Sequence, residues 1–246
     1  MRKRKYIPRW TMKVVGFLGP GGSGKTTMSA NTATCLAISG IRTLLIDGDL
    51  YLPDLHNHFA LNAPYSFEDY LNDPELNPEW LTVPARFTRN LHLILGKPHG
   101  ITVNPLNLLP VLDEVIDRLK AMYGVIVIDF PPSIPIELNG LLKKVDIPVL
   151  VVDPNRVPLN GVFRYLTALI RKFGVKRVIM NFADFPEDFL ETLVELVEDE
   201  LGARIMAFIP TRESLLMEPV RGIPSCLEDE WLSELGLSVL EELGYI

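Results

Sequence analysis

Cysteine is almost absent from the 246 residues of this chain, which contain only Cys35 and Cys226. The two positions are far apart in the sequence, and neither belongs to a C-x-x-C pair or a Cys/His cluster. The sequence therefore indicates neither a disulfide framework nor a zinc or iron–sulfur site. Because sparse cysteine is typical of proteins in a reducing compartment, we expect a cytoplasmic protein.

Long apolar runs and an excess of positive charge are also missing. No hydrophobic stretch approaches the roughly 18 residues of a transmembrane helix, and residues 1–10 lack the apolar core of a secretory signal. The formal net charge is −7 and the isoelectric point is about 5.2. The chain therefore lacks the overall positive field that holds proteins on DNA or anionic lipid. We expect a soluble protein with no strong DNA or membrane binding.

The hydrophobic content of 48% is sufficient for one large core, whereas 246 residues are few for two independent domains. We expect a basic, flexible leader over residues 1–12, which contains the cluster Arg2–Lys5, and a single domain over residues 13–246.

Short runs of Val, Ile and Leu alternate with helical patterns along the chain. Most of these runs are continuously apolar, as in parallel strands that are covered by helices on both faces. The pattern predicts an α/β fold with a doubly wound, mostly parallel sheet. The predicted strands cover residues 14–18, 43–47, 91–95, 125–128, 148–152, 177–180 and 205–209, and the predicted helices cover residues 25–39, 106–122, 159–173 and 187–201. The proline-rich stretch 53–105 is irregular, and we expect a loop-rich insertion there.

The segment Gly19–Thr26 fits the pattern G-x-x-x-x-G-K-[ST] and lies between a predicted strand and a predicted helix. Glycines in this pattern let backbone N–H groups turn towards phosphate oxygens, a lysine reaches the β- and γ-phosphates, and a hydroxyl binds Mg²⁺. The sequence therefore predicts a nucleoside triphosphate site. The predicted contacts are Gly21, Gly22, Ser23, Gly24, Lys25, Thr26 and Thr27.

Aspartates follow two of the predicted strands. Asp47 and Asp49 close the second strand, and Asp129 closes a later one, so their carboxylates are expected at the sheet edge where open parallel sheets bind ligands. We expect Thr26, Asp129 and Asp47 to hold Mg²⁺ or its water, and Asp49 or Asp47 to orient the attacking water. Alternatively, aspartates at strand ends cap turns.

Five segments in this order resemble the MinD/Mrp/ParA group of P-loop ATPases. They are Pro20–Thr27, Leu45–Asp49, Val127–Pro132, Ile179–Asn181 and Ile209–Pro210. The resemblance extends from about residue 13 to residue 224, and it implies an ATPase that uses ATP/ADP and Mg²⁺. It also implies that Asn181 contacts adenine, that the backbone around Pro210 borders the base, and that Asp49 positions water. The segment Asp49–Pro53 is similar to the Mrp branch in particular.

Pro20 departs from the family pattern. Members usually have a lysine at this position, which reaches the partner's phosphates across an ATP-bridged dimer, and proline supplies no such charge. We therefore expect slow hydrolysis and a weakened nucleotide-dependent homodimer, unless another basic residue replaces the lysine.

The sequence is compatible with several hypotheses about the cellular role. The Mrp-like segment favours an accessory ATPase that assists the maturation of a metalloenzyme centre, such as a nickel or hydrogenase centre, together with an unidentified protein partner. The alternatives are a ParA- or MinD-like positioning ATPase, which the acidic charge disfavours, and a nucleotide-responsive adaptor with negligible hydrolysis. A kinase related to bacterial tyrosine kinases is disfavoured because the tail contains Tyr245 rather than a tyrosine cluster.

Two further features leave alternatives open. His56 and His58 lie close together beside Asp54, as metal ligands or as surface polar residues. Residues 227–246 form an acidic pattern with one apolar face, which predicts either a helix packed on the domain or a docking helix for a partner.

Overall fold

The computed structural model describes residues 12–132, 139–156 and 161–245. Within them, one sheet has eight strands in the order β3-β4-β2-β5-β1-β6-β7-β8. The pairing of β3 with β4 is antiparallel, and all other neighbours are parallel. The strands are β1 (Lys13–Leu18), β2 (Thr43–Asp47), β3 (Thr82–Pro84), β4 (Leu91–Ile94), β5 (Val125–Asp129), β6 (Ile147–Val152), β7 (Arg177–Asn181) and β8 (Arg204–Ile209). The predicted α/β fold is confirmed.

Helices cover both faces of the sheet. They are α1 (Lys25–Ile38), α2 (Leu55–Phe59), α3 (Phe67–Asn72), α4 (Pro105–Leu119), α5 (Asn139–Leu142), α6 (Val162–Phe173), α7 (Glu187–Glu195), α8 (Glu213–Arg221) and α9 (Glu230–Glu242). Stretch 53–105 is less irregular than expected, because it contains α2, α3, β3 and β4. The regular α-helix of α7 ends at Glu195 and continues to Glu200 as a π-helical turn, whereas the sequence predicted one helix to residue 201.

Alternate residues of β1 enter two separate hydrophobic layers. Val14 and Leu18 belong to the layer that is completed by α3, α4 and α6, whereas Val15 and Phe17 belong to the layer completed by α1, α8 and α9. Because both faces are covered, a strand such as β1 has no solvent-facing side, which explains its continuously apolar sequence.

Helix α9 packs against the domain. Leu235 and Val239 are fully buried, and Gly236 lies so close to Cys35 on α1 that a Cβ at this position would collide with that side chain. Glu242 on α9 also pairs with Arg177 and Arg204. Of the two interpretations of the acidic tail, a helix packed on the domain or a docking helix for a partner, the structure supports the packed helix.

Cys35 and Cys226 come together although they are distant in the sequence. Both thiols are buried and free, and a hydrogen bond with Cys35, together with burial, raises the pKa of the Cys226 thiol. The contact could not be predicted from the sequence, because 190 residues separate the two positions without a shared motif.

The basic leader expected over residues 1–12 lies almost entirely outside the described residues. Among the helices of the described part, none is long and apolar enough to cross a membrane.

Candidate functional site

The phosphate loop joins the end of β1 to the first residue of α1, at the edge of the sheet where the parallel strands end. Gly24 ends the loop with φ = 90°, a left-handed conformation that glycine adopts without steric cost. A Cβ on Gly24 would also collide with the amide of Asn181 on β7. The glycine is therefore required both by its backbone angle and by the close approach of β7.

Lys25 is folded back into the loop. Its Nζ donates a hydrogen bond to the carbonyl oxygen of Pro20 at 3.0 Å, and the residue is buried. Burial lowers the pKa of Lys25, whereas the negative charges of Asp129 and Asp49 oppose this effect. The ammonium group thus has a backbone acceptor in the loop and is stabilised by the charges of two acidic residues.

Asp47 and Asp129 occupy paired positions at the ends of β2 and β5. Burial is the main reason why the pKa of Asp129 rises to about 6, and a hydrogen bond with the side chain of Thr26 and the charge of Lys25 oppose the rise. Oδ1 of Asp129 is buried without a hydrogen-bond partner within the described residues. A buried carboxylate oxygen with spare capacity, beside the hydroxyl-bearing Thr26, fits the donor set that Mg²⁺ prefers.

The oxygens of Asp47 are already engaged by backbone groups. Oδ2 accepts hydrogen bonds from the N–H groups of Asp54 and Leu55 at 3.1 and 3.2 Å, and Oδ1 accepts one from Asp49 at 3.2 Å. Burial and the negative charge of Asp129 raise the pKa of Asp47 well above its usual range. This geometry matches the capping alternative for Asp47, and its predicted contribution to Mg²⁺ binding stays a prediction.

Asp49 lies on the rim of an open cleft of about 390 Å³. One carboxylate oxygen, Oδ1, accepts hydrogen bonds from the N–H groups of Tyr51 and Leu52 at 3.2 and 3.0 Å, which fixes the side chain against its own turn. The cleft is lined by Gly21, Gly22, Lys25, Thr26, Asp49, Leu52, Pro53, Asp54, Pro98 and Pro132. The structure therefore brings Lys25, Thr26 and Asp49 to one cavity, as the sequence predicted.

Asn181 and Pro210 lie beyond this cleft. Asn181 is buried at the end of β7, where its Nδ2 donates to the carbonyl oxygen of Ser23 at 2.9 Å, and its Oδ1 has no hydrogen-bond partner in the described chain. Asn181 is paired with Ile209, the last residue of β8, and Pro210 comes directly after that strand. Of the two residues, Asn181 contacts the phosphate loop, and the predicted contacts of both with the base stay predictions.

Arg156 is a basic residue beside the loop that sequence reasoning missed. Its guanidinium donates to the carbonyl oxygen of Gly22 at 2.9 Å and to Asp153 at 3.2 Å. A signal was present in the sequence, because Arg156 follows the predicted strand 148–152, whose carboxyl end lies at the same edge of the sheet as the phosphate loop.

The second feature that sequence reasoning missed is a buried ion pair. Nδ1 of His58 lies 3.1 Å from Glu218 on α8, and its Nε2 lies 3.7 Å from Asp54, a distance for an ion pair rather than a hydrogen bond. Burial lowers the pKa of His58, but the two carboxylates outweigh this effect and raise it to about 9. The hypothesis that His56 and His58 bind a metal ion is not supported by the structure, since no group of three potential metal ligands occurs in the described residues.

The phosphate loop after β1, in the middle of a mostly parallel sheet, defines this protein as a P-loop nucleotide-binding domain. More specifically, the chain belongs to the CobQ/CobB/MinD/ParA nucleotide-binding domain family, whose model matches residues 17–225. It is thus a MinD/ParA-like ATPase, and the family inferred from the five segments is confirmed.

Individual relatives agree with this assignment. The chain is 26% identical over 221 residues to the septum site-determining protein MinD of Thermotoga maritima, covering 85% of this chain and 79% of that protein. It is 25% identical to a putative arsenical pump-driving ATPase of Chlorobaculum tepidum, covering 86% of this chain but only 57% of that protein. The structure of MinD from Pyrococcus horikoshii complexed with Mg-ADP superimposes with a TM-score of 0.73 at 22% identity, covering 95% of this chain and 98% of that one.

Proposed function

We propose that this protein is a Mg-ATP-dependent molecular switch that hydrolyses ATP slowly. The observation that carries the proposal is the convergence of Lys25, Thr26 and Asp49 on one cleft, with Asp129 buried behind it. An ammonium group, a hydroxyl and two carboxylates at the end of a phosphate loop are the groups that phosphoryl transfer requires. The chain's membership of a nucleotide-binding family supports ATP and ADP as its ligands.

Each residue has a separate role in this proposal. Lys25 exchanges the Pro20 carbonyl for phosphate oxygens, and the backbone of Gly21–Gly24 contributes N–H donors to the same phosphates. Asp49 orients the attacking water through its carboxylate, while Thr26 and Asp129 hold the metal ion, with Asp47 as a further candidate. The Mg²⁺ ion neutralises charge on the phosphates when bound. Asn181 and Pro210 border the adenine.

Hydrolysis changes the contacts that the γ-phosphate makes with the segment after Asp49, and that change alters a surface read by a protein partner. We propose that the partner belongs to a pathway that builds a metalloenzyme centre, on the strength of the Mrp-like segment Asp49–Pro53. The similarity to MinD favours a second candidate, a positioning ATPase. Pro20 in place of the usual lysine favours a third, an adaptor with negligible hydrolysis.

Pull-down experiments with the tagged protein, loaded with ADP or with a non-hydrolysable ATP analogue, test these roles. A maturation factor recovered in one nucleotide state only would support the first role, since a switch requires different affinities in the two states, typically by about 1–3 kcal/mol. ATP-dependent binding to duplex DNA or anionic vesicles at physiological salt would support positioning instead. Nucleotide-dependent partner binding without measurable turnover would support the adaptor.

A further inference from the structure

Glu218 on α8 is a carboxylate with no exposed surface, 0% of its area being accessible. Its Oε1 accepts hydrogen bonds from Nδ2 of Asn31 and from the backbone N–H of Ser225, both at 2.7 Å. Its Oε2 lies 3.1 Å from Nδ1 of His58. A buried charge is costly unless it is paired and hydrogen-bonded, and here both oxygens have partners. Glu218 thus joins three separate parts of the chain at one point.

The first connection leads to the phosphate loop. Asn31 is fully buried on α1, the helix that begins at Lys25. Its Nδ2 also donates to the carbonyl oxygen of Thr27 at 2.7 Å, and its Oδ1 accepts from the N–H of Cys226 at 2.7 Å. Glu218 is therefore held against the helix whose first turn carries Lys25 and Thr26.

The second connection leads to the segment that carries Asp49. His58 lies on α2, a helix of five residues that is too short to be stable without tertiary packing. Helix α2 lies against α8 at two points, since His58 pairs with Glu218 and Ala60 contacts Gly222 closely enough that a Cβ on this glycine would collide with it. At its other end, α2 is tied to β2 by the hydrogen bonds from Asp54 and Leu55 to Asp47.

Residues 48–54 are therefore fixed at both ends, by β2 on one side and by the seating of α2 on α8 on the other. This segment includes Asp49, whose carboxylate lies on the cleft. We infer that Glu218 and His58 are positioning residues for ATP turnover, because together they set where the Asp49 segment lies relative to the phosphate loop. The inference rests on the proposed role of Asp49 in orienting water.

Loss of the contact between Glu218 and His58 should lower the rate of ATP hydrolysis more than the affinity for nucleotide. The phosphate loop keeps its other supports, since α1 is also packed on α9 and on the sheet. The Asp49 segment loses the attachment at its α2 end, whereas the backbone hydrogen bond from Ile101 to Leu50 remains. A small displacement of a reacting group can lower the rate by about 100-fold, whereas affinity from the phosphate loop is retained.

The variant Glu218→Gln removes the charge while keeping the shape of the side chain. We expect its kcat to fall roughly 10- to 100-fold with ATP affinity changed by less than about threefold. Glu242→Gln is the matched control, because Glu242 is a mostly buried carboxylate on α9 that pairs with Arg177 at 2.5 Å and lies outside the α2–α8 contact. The control should keep both values near those of the parent.

A double variant separates positioning from general loosening of the fold. If Glu218 acts through Asp49, adding Glu218→Gln to Asp49→Asn should reduce turnover little further, because residues that act as a unit are not additive. A full additional loss of about tenfold or more in the double variant would overturn the inference.

If Glu218→Gln does not fold, Asp54→Asn tests the same inference. Asp54 is half-exposed and pairs with His58 on the side away from Glu218. We expect a fall in kcat of roughly threefold to tenfold, with ATP affinity retained. Parental turnover in Asp54→Asn, or in a folded Glu218→Gln, would refute the positioning role. If Asp49→Asn itself turns over ATP at the parental rate, the proposed role of Asp49 is wrong, and that outcome is distinct from failure of the Glu218 variants alone.

Discussion

Asp47 and Asp129 are register partners on the neighbouring parallel strands β2 and β5, and the N–H of Gly48 donates to the carbonyl oxygen of Asp129 at 2.9 Å. The pairing places two buried carboxylates side by side, and burial together with their mutual repulsion disfavours ionisation of Asp47. The two carboxylates differ in their contacts. The oxygens of Asp47 accept hydrogen bonds from backbone N–H groups, whereas Oδ1 of Asp129 has no hydrogen-bond partner within the described residues. The open oxygen makes Asp129 the stronger candidate for the metal ion.

Lys25→Ala should weaken ATP binding by at least about tenfold, or ~1.4 kcal/mol, because it removes the charge that we propose meets the β- and γ-phosphates. Isothermal titration calorimetry with ATP and ADP measures the change. Lys120→Ala is a suitable control, since Lys120 is exposed and pairs with Asp117 on the far end of α4. Unchanged affinity in Lys25→Ala would contradict the assignment of the phosphate loop.

Asp49→Asn should bind ATP normally and lose most of its turnover. The amide keeps the size of the side chain but loses the acceptor charge to which we assign the orientation of water. Steady-state phosphate release and calorimetry on the same preparation give the two quantities. If the variant hydrolyses ATP at the parental rate, the role belongs to another residue, and Asp47 is the next candidate.

The stability of the protein should decrease at alkaline pH because of His58. Its pKa in the fold is about 9 and its ordinary value is 6.5, so the folded state holds a proton that the unfolded state has lost between these pH values. The stabilisation is complete below pH 6.5 and is lost as the pH rises through 9, with a maximum of about 3 kcal/mol. Asp54, Glu218 and, at longer range, Asp129 are the charges that His58 faces.

Urea unfolding of the parent and of His58→Gln at pH values from about 6 to 10 measures this contribution. We expect the difference in unfolding free energy between the two proteins to shrink as the pH rises. A difference that stays constant over this range would show that His58 is neutral in the fold.

Pro20→Lys should strengthen any ATP-dependent dimer, because the substitution restores an ammonium group beside the phosphate loop. Light scattering with a non-hydrolysable ATP analogue compares parent and variant across protein concentrations. A parental dimer as tight as that of the variant would mean that another basic residue replaces the lysine. Arg156 would then be the first to test, since it already contacts Gly22 in the loop.

The parts of the site that follow local rules were predictable from the sequence. The apolar runs that became β1, β2 and β5 fix the edge where Lys25, Asp49 and Asp129 meet, because parallel strands end at the same side of a sheet. The spacing of glycine, lysine and threonine in Gly19–Thr26 was also sufficient to identify the phosphate loop.

The α2–α8 contact was not predictable in the same way. Glu218 lies in a polar helical pattern, and a lone glutamate there is normally a solvated residue. Its burial depends on where α8 lies over α1 and α2, which is a tertiary arrangement with no signature in local spacing. His58 was considered as a metal ligand for the same reason, since its partner is 160 positions further along the chain.

Both edge strands of the eight-stranded sheet have features that disfavour further strand pairing. Strand β3 has three residues and ends in Pro84, which has no N–H to donate. At the opposite edge, β8 has a register irregularity where it pairs with β7, and the N–H of Ile205 donates to the side chain of Glu198. Such edges disfavour the pairing of an edge strand with a strand of another copy, which is a common route to aggregation. Self-association of this protein should therefore use its helical or loop surfaces rather than the edges of the sheet.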